Sequence, residues 1–109
     1  MSIKEKIKNI ERAVRKNRNG LGDLADSIEY DGQNIQAFDF VLDTKSTAKQ
    51  FRHLCSLFTH DIASALNNAY GIGGSARIIY QHDHGVDSIR VLTYNEKGRM
   101  ESDYQLTEE

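Results

Sequence analysis

From Ala76 to Leu106 apolar residues recur at alternate positions. The pattern is broken twice by polar quartets ending in glycine, His82-Asp83-His84-Gly85 and Asn95-Glu96-Lys97-Gly98. Alternation at period two marks strands with one buried face, and a glycine closing a polar quartet marks a tight turn. The segment therefore predicts a three-stranded antiparallel meander with strands over 76–81, 88–94 and 99–106. A four-residue loop at Asn95 to Gly98 pairs Tyr94 with Arg99. It gathers Ile89, Val91, Thr93, Met100, Tyr104 and Leu106 on one face and sets Arg90 opposite Asp103, an attractive cross-strand pair.

Such a sheet needs a cover for its apolar side. Ile3, Ile7, Ile10 and Val14 recur at intervals of four, three and four. This predicts a helix over 3–18 with one narrow apolar stripe and with Lys4, Lys8, Arg12 and Arg15 on the other side. Asn19-Gly20 supplies its stop. A second, longer helix is predicted over 46–70, capped by Thr44 or Ser46. Phe51, Leu54, Phe58, Ile62, Ala65, Leu66 and Ala69 form its apolar face, and Gly71 ends it.

Between the helices, residues 27–42 predict a hairpin around Asp31-Gly32 with Ile28 opposite Ile35. That register puts Phe38, Phe40 and Leu42 on the face opposite Ile35, so the second strand is either covered on both faces or shifted by a bulge. The whole reads as one α+β domain over 1–109. It is an antiparallel sheet of about five strands with two helices packed on one face, in the order α-β-β-α-β-β-β.

At 109 residues the chain is one domain's worth. Its single cysteine, Cys55, permits no internal disulfide and no multi-thiolate zinc site, which favours a reducing, cytoplasmic setting. No apolar run approaches the roughly 18 residues of a membrane span. The N-terminus alternates charge with isoleucine, unlike a secretory signal. No cofactor and no membrane contact is expected. The net charge of -2 hides an asymmetry: residues 1–19 carry seven basic side chains against two acidic ones, and the remainder seven against fourteen.

Each chemistry-bearing motif has a plain structural reading beside it. Gly71-Ile72-Gly73-Gly74-Ser75 follows a helix and precedes a strand, so it presents carbonyls rather than the amides a phosphate loop needs. No lysine stands in the Walker position. Cys55 lies near an apolar stripe, where a thiol behaves as a small hydrophobe. The carboxylate pairs Asp23 with Asp26 and Glu101 with Asp103 read as solvated positions. His53 and His60 lie seven residues apart, about 10 Å along one helix, too far to share an ion, though one of them could join the His82-Asp83-His84 turn as a further ligand.

Three functions follow. The leading expectation is a small non-enzymatic, inhibitor-type protein that docks on a basic partner protein through its acidic body or open sheet face, with Glu101 and Asp103 as acidic contacts. The second is a dimeric nucleic-acid-binding module using Lys4, Lys8, Arg12, Arg15, Lys16 and Arg18. Against it, the basic segment holds no aromatic residue on which a base could stack. The third is a metal-dependent hydrolase at His82, Asp83 and His84. A homodimer would bury a face left uncovered. In length and coarse shape the chain resembles small accessory proteins of phages and of bacterial toxin–immunity systems, a comparison prompted by the final hairpin, Ile89 to Tyr104. That is a likeness of shape, which carries no function.

Overall fold

The computed structural model describes residues 2–16, 26–42, 52, 55, 56 and 58–109, with the backbone alone at 13, 14 and 16. The elements are α1 (Ile3–Lys16), β1 (Glu29–Asp31), β2 (Asn34–Leu42), α2 (His60–Gly71), β3 (Ser75–Asp83), β4 (Val86–Tyr94) and β5 (Met100–Glu108). All five strands join one antiparallel sheet in sequence order. The α+β architecture and its order are as the sequence predicts. Among the described residues no helix is long and apolar enough to cross a membrane. The Val14 side chain, Asp23, the Asn19-Gly20 stop, the Thr44 or Ser46 cap, Phe51, His53 and Leu54 lie outside what is described.

The covered face is built in rungs across four strands. Phe38, Tyr80, Ile89 and Leu106 form one, and Phe40, Ile78, Val91 and Tyr104 the next. Leu42, Ala76, Thr93 and Ser102 form the third. Ile3, Ile7 and Ile10 of α1, with Ile62 and Leu66 of α2, join these rungs in one core cluster. Each fully buried Ile or Leu contributes about 1.5–3 kcal/mol. Glu108 at the end of β5 accepts a hydrogen bond from the Ile3 N–H at 2.9 Å. This places a carboxylate on the positive end of α1 and joins the two ends of the fold.

The first hairpin differs from the expected register. Asp31 pairs with Asn34 and Tyr30 with Ile35, so the turn is Gly32-Gln33, not Asp31-Gly32. Gly32 has φ 62° and Gln33 is not in the positive region, the φ pattern of a type II′ turn. This turn spares Asp31 the positive φ that a turn centred on Asp31-Gly32 demands. Glu29 then pairs with Ala37, so Gln36 is the extra residue of a bulge. The bulge lets Ile35 and Phe38 both enter the core.

The last hairpin is also corrected. Asn95 Oδ1 accepts the N–H groups of Lys97 and Arg99, and Gly98 N–H bonds to the Asn95 carbonyl at 3.0 Å. Closing this way pairs Tyr94 with Met100, and a bulge then pairs Thr93 with Ser102. Arg90 therefore faces Gln105 and reaches Asp103 on the diagonal. Over most of the hairpin the shift from the expected register is even, so its faces are kept, but Met100 is exposed rather than on the apolar side.

The long helix does not run through. Arg52 and Cys55 have helical backbone, and Ser56 N–H bonds to the Arg52 carbonyl. The chain then extends at Thr59 (φ -63°, ψ 161°), which is the N-cap of α2. Threonine favours that position over a helix interior, because its branched side chain loses rotamer freedom within a helix.

The glycine cluster ends α2. Gly74 N–H bonds to the Ala69 carbonyl at 2.8 Å and Gly73 N–H to the Tyr70 carbonyl at 3.2 Å, the two bonds of a Schellman motif. Gly73 supplies the left-handed residue at φ 76°. Gly74 serves a different need: a Cβ there would lie 2.1 Å from the Tyr94 carbonyl oxygen. Gly73→Ala should therefore cost about 1 kcal/mol. Gly74→Ala, which forces two backbones apart, should cost more than twice that in a urea titration.

Candidate nucleic-acid interface

Because α1 lays Ile3, Ile7 and Ile10 on the sheet, its cations face outward. Lys4, Lys8, Arg12 and Arg15 are all exposed. Arg15 Nη2 contacts Glu11 Oε1 at 2.6 Å across one helical turn. Arg15 lies largely in water and Glu11 is partly buried, and an i,i+4 pair of this kind is worth about a few tenths of a kcal/mol. The Lys16 side chain and Arg18 lie outside what is described.

The β1–β2 hairpin runs beside this band. Tyr30, half exposed at 50%, stands with Gln33 and Asn34 against Lys8, Arg12 and Arg15. Together they line an open groove of about 710 Å³. The sequence places no aromatic within the basic segment; the fold brings one to it from the hairpin.

The groove continues, through the shared residues Lys8, Glu11 and Asn34, into a second cleft of about 350 Å³ between α1 and the β2–β4 end of the sheet. Lys4, Gln36, His82 and His84 line it, and its polar centre is Asp87. One oxygen, Asp87 Oδ1, accepts the Tyr80 hydroxyl at 2.7 Å and faces His82 Nδ1 at 2.8 Å. Tyr80 and Asp87 are buried, while the His82 side chain is 43% exposed. Burial, then the hydrogen bond to Asp87, then the charge of Asp87 push the Tyr80 phenol well above its ordinary value. Tyr80 therefore stays a donor. An ionised Asp87 also requires a proton on His82 Nδ1, so the neutral ring keeps its lone pair on Nε2.

The expected triplet His82, Asp83 and His84 is divided by this arrangement. His84 and Gly85 both have positive φ and form a two-residue turn, with Asp83 paired to Val86. His82 stays on the inner face with Asp87, whereas His84 Nδ1 pairs with Asp83 Oδ1 at 2.8 Å in solvent. His60 bonds to Ser64 on α2. Among the described residues no three His, Cys, Asp or Glu side chains are grouped as a metal ion requires. Cys55 packs beside the core, and burial pushes its thiol up.

Of the acidic pair expected to dock, Asp103 lies on the uncovered face, and Glu101 lies on β5 beside the end of α2. Asp103 receives Arg90 through Nε at 3.0 Å and Nη2 at 2.8 Å, and this holds its carboxyl below the usual range. Glu101 accepts the Asn95 amide at 3.1 Å. On the same face Arg77 bonds to Asp39. That hydrogen bond, opposed by partial burial and aided by the charge of Arg77, lowers the Asp39 carboxyl. Charge on the open face is thus largely cancelled in pairs.

Sequence reasoning missed Tyr30, Tyr80 and Asp87. Placing the turn at His84-Gly85, both suited to the left-handed region, pairs His82 with Asp87 by counting outward; the signal for that contact was present. Nothing local indicates that the first hairpin lies beside α1.

Tyr80→Phe keeps the buried ring but removes one donor from Asp87, and should cost about 1 kcal/mol. Because folding raises the Tyr80 pKa, its share of stability is complete below pH about 10 and is lost as pH rises from there. Denaturation followed from pH 8 to 11 should show that alkaline loss in the native protein and a flatter profile in Tyr80→Phe.

No family model matches the chain, and searches of curated proteins and of solved structures return no matching protein.

Proposed function

We propose that the protein binds single-stranded nucleic acid along the groove between α1 and the first hairpin. The observation that carries this reading is the half-exposed Tyr30 beside Lys8, Arg12 and Arg15. Cations pair with phosphates, and an aromatic ring offers a stacking surface to an unpaired base. Gln33 and Asn34 add amide donors and acceptors at the same place. A duplex keeps its bases stacked internally and gains nothing from Tyr30. The acidic remainder of the chain limits contact to a short stretch of strand. The protein-docking reading, through Glu101 and Asp103, has weaker support: Asp103 is held by two hydrogen bonds from Arg90, whereas Arg15 meets Glu11 through one contact and Lys8, Arg12 and Tyr30 line the groove beside it.

Fluorescence anisotropy with labelled oligonucleotides of about 12 nucleotides tests this. Three phosphate contacts give a slope of log K against log salt of about -2. Tyr30→Ala should weaken binding roughly tenfold, within the 1–3 kcal/mol of one stacked base. Arg12→Glu with Arg15→Glu should abolish it, and Asp103→Asn should leave it unchanged. Absence of binding at low salt by folded protein would refute the proposal.

A further inference from the structure

We infer that the cleft beside the groove is a cleavage site for RNA, with His82 Nε2 as the general base. This rests on the strand-binding reading above. Groove and cleft share Lys8, Glu11 and Asn34, so a strand held along the cations and Tyr30 continues past His82.

Three features of the cleft fit base catalysis rather than binding alone. Asp87, in register opposite His82, holds Nδ1 and leaves the second ring nitrogen as the proton acceptor. Tyr80 fixes Asp87 by donating to the same oxygen, so the imidazole is oriented by a buried pair and not by a mobile surface acid. Lys4 and Lys8 line the cleft and bring positive charge toward a phosphorane; of the carboxylates that line it too, Glu11 is met by Arg15, Asp83 by His84 and Asp87 by Tyr80 and His82, which leaves Asp31 opposing them.

The substrate class follows from what the His82 imidazole can do as a base. It needs an internal nucleophile beside the phosphate, and the ribose 2′-hydroxyl is one. His82 Nε2 takes the 2′-hydroxyl proton as the O2′–P bond forms. The P–O5′ bond breaks, and the departing 5′-oxygen takes a proton from water. The resulting hydroxide is neutralised by the proton returned from His82. The products are a 2′,3′-cyclic phosphate and a 5′-hydroxyl, and the enzyme is restored.

The test is incubation of the full chain, in EDTA, with an oligoribonucleotide and with the same strand carrying 2′-deoxyribose throughout. Binding of both is read by anisotropy in parallel. The RNA should be cut to ends bearing cyclic phosphate, and the deoxy strand should remain whole. At saturating RNA, His82→Gln should lower kcat at least 100-fold. Asp87→Asn, acting through His82, should lower kcat while KM stays near its original value; a general loss of structure would instead lower the melting temperature and raise KM. RNA that is bound yet stays intact overturns the cleavage site and leaves strand binding standing. Cutting at equal rate by identically purified His82→Gln also overturns it. Failure to bind either strand overturns both readings.

Discussion

The burial of Ile3, Ile7 and Ile10 against the sheet is the contact on which the remaining arrangement depends. A helix with one apolar stripe has a single rotation that satisfies it, and that rotation fixes where every other side chain points. With the isoleucines inward, Lys4, Lys8, Arg12 and Arg15 face water. The Glu108 carboxylate on the Ile3 amide ties the start of the helix to the last strand. The groove and the cleft are therefore by-products of core packing: α1 is placed by its apolar side, and its polar side becomes one wall of each.

The opposite wall is set by strand register. The Gln36 bulge turns β2 so that Ile35 and Phe38 both enter the core, and the β1–β2 hairpin then carries Tyr30 to the basic band. In the same way the two-residue turn at His84-Gly85 fixes His82 opposite Asp87. Burying Asp87 is tolerable because two donors meet it. A single fold thus provides cations, a half-exposed aromatic ring and an oriented imidazole along one continuous surface. The open face of the sheet is different in kind: its ion pairs, Asp39 with Arg77 and Arg90 with Asp103, leave little unbalanced charge to attract a partner.

Much of the architecture was legible because it is written in periodicity. The intervals of α1, the alternation of β3 to β5 and the glycine turns give the element order directly. Registers were less legible, since they depend on turn types that differ by one residue, as at Gly32-Gln33, and on bulges that exist to satisfy the core. The break at Thr59 was hidden because the apolar pattern of Phe58, Ile62 and Leu66 continues across it. Of the candidate site, the four cations of α1 were visible as a helical face. Tyr30 was not, because its proximity to them is created by tertiary packing between elements separated in sequence. Asp87 could have been found by counting outward from the correct turn.

Backbone amide chemical-shift mapping with a short single-stranded oligonucleotide shows where on the fold a strand lies. Binding in the groove should perturb the amides of Lys8, Arg12, Tyr30 and Gln33, with His82 and Asp87 affected as the strand enters the cleft. Perturbations gathered instead around Arg77, Arg90 and Asp103, with α1 and the first hairpin unmoved, would contradict it.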